Sequence, residues 1–271
     1  LQASAPPSAL ADYLAVVRRL NPPVDGGAEP PLRWYPGSPR LAQELMRPED
    51  RLVLVELHPE DNRTLKRACR DDRRVAVHQG DGYQSLRAQL PPRERRGLVL
   101  IDPPFEARDE YQRLAEALVT AQRRWPGGSF LGWYPIKERP AVWRFHQQVE
   151  QAGLARVLAA ELTVRAEERA DCLNGCGLLL VNPPWRLDQT LSSLFPWLQA
   201  VLAQAPGGGS RIEWLVPEAA AAGADRGERR RQAGCSDDGG HDGVGVGGGR
   251  YLFECLGPGE NLGTKAGRTQ L

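Results

Sequence analysis

Short apolar runs alternate with helix-spaced polar stretches through the middle of this chain. LVLVELH at 52–58 is a continuous β-branched and Leu run with an acid near its end, the pattern of a strand covered on both faces. RTLKRACR at 63–70 puts Leu65 and Cys69 at helical spacing. RVAVHQGDG at 74–82 predicts a short strand closing on Gly80, Asp81 and Gly82. GLVLIDPPF at 97–105 is the clearest strand, ended by two prolines that cannot continue a central ladder. From 109 to 124, Tyr111, Leu114, Ala115, Leu118 and Val119 mark one face of a helix. GSFLGWYPI at 128–136 is another strand, and 140–154 reads as a helix through Val142, Phe145, Val149 and Leu154.

The last elements break the alternation. ARVLAAELTV at 155–164 and GCGLLLVNPPW at 175–185 are strands with no full helix between them, so they are expected to pair antiparallel. A helix through Leu191, Leu194, Leu198 and Leu202 follows, and RIEWLVPE closes the pattern. Repeated strand–helix units imply an α/β fold with a mainly parallel sheet, covered on both faces. Ligands of such sheets bind beyond the carboxyl ends of the strands. The polar punctuation falls there: Glu56 with His58, Asp81 with Gly82, and Asp102 before Pro103.

Composition changes this picture only at the edges. After Glu218, residues 219–249 are dominated by Ala, Gly, Arg and Asp, with GVGVGGGR at 243–250. Such a stretch gains little by ordering and reads as a tail. The YLFEC run at 251–255 has strand character, but nothing around it supports a domain. A net charge of +1 neither requires nor excludes nucleic acid, since a local patch binds phosphate whatever the total. Arg93, Arg95, Arg96, Arg123 and Arg124 are candidates for such a patch, or simply solvated faces. Cys172 and Cys176 lack a second pair at zinc spacing, so the five cysteines read as free thiols of a reducing, cytoplasmic compartment. No apolar run has the length of a membrane span, and no basic-then-apolar leader is evident.

Ile101-Asp102-Pro103-Pro104-Phe105 carries the sharpest chemical signal. Two prolines leave the strand end few conformations. The Asp carboxylate and nearby carbonyls are acceptors, and Phe105 offers a flat apolar face. An exocyclic amine on a planar base needs that set: acceptors orient its N–H groups while the ring stacks. An ordinary strand end with a rigid turn and a core Phe fits the same residues. Glu56 suits the two hydroxyls of a ribose or a solvated loop. Asp81 suits an adenine amino group, with Gly82 allowing close backbone approach, or a common Gly-Asp-Gly turn.

Asn182-Pro183-Pro184-Trp185 has the same makeup as the first motif. It sits within the antiparallel pair rather than after the Glu56 and Asp81 strands, and is read as a structural turn. Trp34-Tyr35-Pro36-Gly37-Ser38-Pro39 is a rigid turn before a helix, with Pro39 suited to its first position. Trp133-Tyr134-Pro135 either lines the cleft or packs in the core. No metal-binding set emerges from the scattered histidines, and no G-x-G-x-x-G follows a strand, which argues against a dinucleotide oxidoreductase.

Taken together, RWYPGSPRLAQELMRPEDRL (33–52), ELHPED (56–61), GDGYQSLRAQLPPRERRGLVLIDPPFE (80–106), LGWYPIKER (131–139), AELTV (160–164), GCGLLLVNPPW (175–185) and WLVPE (214–218) resemble the RlmJ-type family. These are bacterial large-subunit ribosomal RNA adenine-N6 methyltransferases. The resemblance implies a Rossmann-like class I methyltransferase sheet, S-adenosyl-L-methionine as cofactor, and 23S ribosomal RNA free of ribosomal proteins as partner for a monomeric enzyme. It places catalysis on Asp102, with Pro103 and Phe105 against the substrate base. It places cofactor contacts on Ser38, Glu56, Asp81, Gly82 and Asp102. Phe105 stands where the family carries Tyr.

The family also opens with a first strand and a Gly-rich D-x-H-A-G-x-G loop, absent at this chain's start. That strand would lie between those carrying Glu56 and Asp102, which are therefore expected to pair across a gap or leave backbone groups unmet. The expected organisation is a remnant of a helical insertion at 1–32, a methyltransferase domain at 33–218, and a foreign Gly-rich, disordered tail at 219–271. Rival readings are an amine methyltransferase acting on DNA or protein, and a non-catalytic nucleic-acid-binding remnant.

Overall fold

In the computed structural model, residues 5–23, 32–166, 172–217 and 250–256 are described. After α1 (Ala11–Leu20), helix α2 (Ser38–Leu45) begins with Pro39 in its first turn, where a missing N–H costs nothing. Strand β1 (Arg51–Glu56) is buried from its second residue onward, and α3 (Pro59–Cys69) carries Glu60 and Asp61 in its first turn, favourable to the helix dipole. Then come β2 (Val75–Gln79), α4 (Gly82–Gln89) and β3 (Gly97–Ile101), which stops before the first proline of its motif. Helix α5 (Glu110–Arg124) buries Leu114, Ala117, Leu118 and Ala121 on one face and ends on Arg123 and Arg124.

Strand β4 (Ser129–Ile136) and α6 (Arg139–Gln151) complete the alternating part. Strands β5 (Val157–Thr163) and β6 (Gly175–Val181) pair antiparallel, as their sequences predict. Helix α7 (Leu187–Leu202) packs Leu191 and Leu198 against that pair, and β7 (Gly209–Val216) joins β5 antiparallel. No described helix is long and apolar enough to cross a membrane.

One sheet of eight strands unites these elements, in the order β2-β1-β8-β3-β4-β6-β5-β7. The expected gap between the Glu56 and Asp102 strands is not there. Strand β8 (Tyr251–Leu256), from the stretch expected to be tail, fills it and runs parallel to both neighbours. Its Tyr251, Phe253 and Cys255 join the main core with Val53, Val55, Val99 and Ile101. On the other face Leu252 packs near Leu52 and Leu54. The backbone groups that a gap would have stranded are thereby paired, which is the strong physical preference for buried strands. Residues 219–249, including Cys235 and His241, and residues 257–271 lie outside the described residues.

Candidate active site

The carboxyl ends of β1, β8 and β3 meet at one edge of the sheet. Glu56 is the register partner of Leu256, and Ile101 of Cys255. The ladder runs one bond further: the Asp102 N–H donates to the Cys255 carbonyl at 3.1 Å. Asp102 is therefore held by its own main chain at the rim while its half-buried side chain projects beyond the last rung. A cleft of about 100 Å³ lies here, lined by Asp81, Gly82, Tyr83, Asp102, Pro103 and Cys255, with Glu110 and Arg113 on its wall.

Asp81 reaches the cleft from the end of β2 and also caps α4, its carboxylate accepting from the Gln84 N–H at 3.1 Å. The two readings of the Gly-Asp-Gly turn thus coexist: the acid caps a helix and still faces the cleft. Gly82 is required by close approach, and the neighbour is protein. A Cβ there would sit 2.5 Å from Cys255 Cβ and 2.8 Å from its Sγ. The turn after β2 consequently rests on β8.

A polar cluster not anticipated from sequence supports this wall. The Tyr83 hydroxyl donates to Glu110 at 2.8 Å, Arg113 lies 4.7 Å from the Tyr83 ring centroid, and Arg113 also approaches Glu110 at 3.5 Å and Asp81 at 3.8 Å. Burial, then the Glu110 carboxylate, pushes the Tyr83 hydroxyl far above its ordinary range, so it stays a donor. Glu110 and Arg113 stand one helical turn apart, a spacing legible in sequence. Nothing local says which loop they face.

Phe105 adopts φ 51°, in the left-handed region that disfavours a bulky side chain. Its ring packs edge-on against Tyr111 at 4.9 Å and Trp133 at 5.8 Å between centroids. Trp133-Tyr134 divides accordingly. Trp133 reaches the Phe105 side of the site, whereas Tyr134 is fully buried and hydrogen-bonds Glu161 at 3.1 Å and His146 at 3.0 Å.

Glu56 is buried at the end of β1, and its carboxylate accepts the His58 N–H at 2.6 Å. Burial raises its pKa, opposed by that hydrogen bond. Ser38 is placed apart from Asp102. It starts α2 and lines a second cavity of about 290 Å³ with Leu98, Leu100, Leu252 and Glu254. The structure therefore brings Asp81, Gly82, Asp102 and Pro103 into one cleft, sets Glu56 and Phe105 beside it, and puts Ser38 elsewhere.

The second Pro-Pro motif is built differently. Asn182 Nδ2 donates to the carbonyls of Pro126 and Gly128, each at 2.9 Å, and its own carbonyl accepts from the Ser129 hydroxyl at 2.9 Å. Because β6 runs antiparallel to β4, with Val181 opposite Phe130, Asn182 emerges at the edge where β4 begins. That is the edge opposite Asp102. Its amide ties two loops together, and Trp185 stands 80% exposed under the Arg186 guanidinium.

Acids at successive strand ends, carbonyls on a rigid Pro-Pro turn and an aromatic neighbour are an acceptor set suited to a nucleoside and an amine. Among the described residues no group of acids, histidines and cysteines could hold a metal ion. Comparison with known proteins agrees with that chemistry. A family model described as "Ribosomal RNA large subunit methyltransferase D, RlmJ" matches residues 1–216. Over 212 residues the chain is 38% identical to the ribosomal RNA large subunit methyltransferase J of Haemophilus influenzae and 37% identical to that of Escherichia coli. Each alignment covers 78% of this chain and 74% of the relative. The fold is similar to the crystal structure of a Legionella pneumophila protein, with a TM-score of 0.68 and 28% identity over 78% of this chain and 75% of that one.

Proposed function

The chain belongs to the RlmJ family of large-subunit ribosomal RNA methyltransferases, and we propose that it transfers a methyl group from S-adenosyl-L-methionine to N6 of an adenine in 23S ribosomal RNA. The observation that carries this reading is the convergence of Asp81, Asp102 and Pro103 on one cleft at the carboxyl edge of a parallel sheet. When bound, the cofactor supplies a methyl group on a sulfonium, electrophilic enough to react with a neutral amine.

The protein's share is positioning and electrostatics. The Asp102 carboxylate and the Pro103 carbonyl would accept the two N–H groups of the adenine amine and so fix the direction in which its nitrogen faces. As the nitrogen gains positive charge, the same acceptors would stabilise it, and the methylated amine then releases one N–H proton to solvent while the donor leaves as the neutral thioether. Asp102 is the catalytic residue. Its N–H is locked to the Cys255 carbonyl, so the carboxylate needs little reorganisation during transfer. Phe105 stacks on the base, its ring steadied by Tyr111 and Trp133. A target adenine in a helix must leave its stack to enter. Glu56 and the Asp81–Gly82 turn would hold the nucleoside end of the cofactor, and Ser38, which lines a separate cavity, is left out of that set. The enzyme works as a cytoplasmic monomer on RNA without ribosomal proteins.

The decisive assay offers labelled S-adenosyl-L-methionine with protein-free 23S RNA, intact large subunits, duplex DNA and a protein acceptor. Methylation of the free RNA at adenine N6 is expected. Transfer to DNA or protein instead would overturn the substrate, and RNA binding without transfer would make the chain a binding remnant.

A further inference from the structure

The arginines at 93–96 and 123–124 have no part in the methyl-transfer cleft, and the fold gathers them at the other end of the sheet. Three segments meet where β3 and β4 begin: the loop before β3, the end of α5 with its turn into β4, and the Asn182–Arg186 turn after β6. Contacts bind them into one surface. Arg124 Nε donates to the Leu90 carbonyl at 2.8 Å, and a Cβ on Gly127 would stand 3.9 Å from the Arg95 carbonyl. Asn182 in turn holds the Pro126 and Gly128 carbonyls.

The charge on this edge is one-sided. Residues 90–97, 121–128 and 182–187 carry six arginines and one acid, Glu94, in a chain whose total is +1. That acid is already taken by Arg51 at 3.1 Å. Arg93, Arg95, Arg96, Arg123 and Arg186 are exposed, and none of them has an ion pair among the described residues. On other faces arginines do find acids: Arg19 has Glu44, Arg70 has Asp71 and Arg211 has Glu213. Like charges gathered without partners repel one another, and a polyanion relieves that. Trp185 stands on the same surface, 80% exposed, with the Arg186 guanidinium 3.9 Å from its ring centroid. Arg186 takes φ 61°, in the left-handed region that a residue other than glycine enters at a cost. An exposed indole beside unpaired arginines suits single-stranded nucleic acid, whose bases stack on the ring while the cations follow its phosphates. A lipid surface fits less well, because no other large apolar side chain in these three segments is exposed to enter a bilayer.

We infer that this edge is a second RNA-docking face, remote from the cleft. Arg93, Arg95, Arg96 and Arg123 hold the phosphates of an unpaired strand, and Trp185 stacks one of its bases. Strand β3 crosses between the two edges in five residues, so face and cleft stand about 17 Å apart at about 3.3 Å per residue. A small molecule does not span that distance, whereas a ribosomal RNA does. The face therefore sets how tightly the RNA is held and touches none of the reacting atoms. This inference rests on the reading of RNA as the substrate of the cleft.

Filter binding of protein-free 23S RNA over a series of salt concentrations tests it on the full chain and three variants. An edge variant combines Arg93→Gln, Arg95→Gln, Arg96→Gln and Arg123→Gln, and the second variant is Trp185→Ala. A control combines Arg63→Gln, Lys66→Gln, Arg67→Gln and Arg70→Gln at α3, all exposed, and removes the same charge from another face. The edge variant is expected to bind about tenfold more weakly or worse, with a salt slope shallower by about three for four lost phosphate contacts. Trp185→Ala is expected to bind about fivefold more weakly or worse with its slope unchanged. The α3 control should stay within about twofold of the full chain. An edge variant that loses no more than the control, or keeps the full slope, would overturn the proposal and leave the substrate reading intact. If the full chain itself fails to bind RNA, the substrate reading falls and this inference with it. Binding to phosphatidylserine vesicles that the edge variant loses, with RNA affinity unchanged, would assign the face to a membrane and also overturn it. Should the edge variant melt at a lower temperature, Arg93→Gln with Arg123→Gln decides by the same slope.

Discussion

The same four-residue design occurs twice in this molecule, and the two copies do opposite things. Asp102-Pro103-Pro104-Phe105 follows a parallel strand and so emerges at the edge where β1, β8 and β3 all end. Asn182-Pro183-Pro184-Trp185 follows β6, which runs the other way, and so emerges where β4 begins. Only the Asp102 copy has its polar side chain on the cleft with Asp81. The Asn182 side chain is consumed by three contacts within the protein, to Pro126, Gly128 and Gln122. Strand direction, not motif chemistry, separates a turn that faces the cleft from one that ties two loops together.

The sharpest way to break the comparison is to remove each polar group in turn. Asp102→Ala is expected to lower the methyl-transfer rate by roughly 10²–10³-fold or more, the scale of losing one preorganised charge-stabilising group, with little change in melting temperature. Single-turnover transfer from labelled donor to 23S RNA measures it. Retention of the full rate would remove Asp102 from the chemistry.

A second contrast is in pH response. Buried His146, beside Tyr134 and Glu161 in the antiparallel half, has its pKa lowered to about 4, first by burial and then by Arg211 and Arg139, with Glu213 opposing. The folded state resists protonating it, so its stabilising contribution is complete above the ordinary value near 6.5. That contribution declines as pH falls toward 4, by up to about 3 kcal/mol. Urea unfolding at a series of pH values should show the decline, and His146→Gln should flatten it. An unchanged slope in that variant would exclude His146 as the source.

Asn182→Ala is expected to cost about 1–3 kcal/mol, because the Pro126 and Gly128 carbonyls lose their shared donor. Catalysis per folded molecule should stay within about twofold, since no part of the site touches that edge. Thermal melts and the transfer assay together check both halves. A large loss of rate without loss of stability would mean the two motifs are functionally linked. Smallest of all is Phe105→Tyr, which keeps the stacking ring and is expected to change the rate by less than about threefold.

Much of this molecule is legible along the chain. Strands such as β1 and β3 follow from the runs LVLVE and GLVLI, because a strand covered on both faces demands continuous apolar residues whatever the neighbours are. The candidate residues Glu56, Asp81 and Asp102 follow from the same rule, since they are where those runs stop. Helix α4 was not predicted: it buries only Leu86 fully and owes its start to the Asp81 cap rather than to an apolar face.

Tertiary structure alone decided the rest. A six-residue run at Tyr251–Leu256 cannot announce its partners, because pairing is a contact between residues far apart in sequence, 200 positions for Arg51 and Tyr251. What selects it is the cost of leaving two buried strands unpaired, a property of the assembled sheet and not of any local window. The need for glycine at position 82 has the same origin, because the atom it must avoid belongs to Cys255.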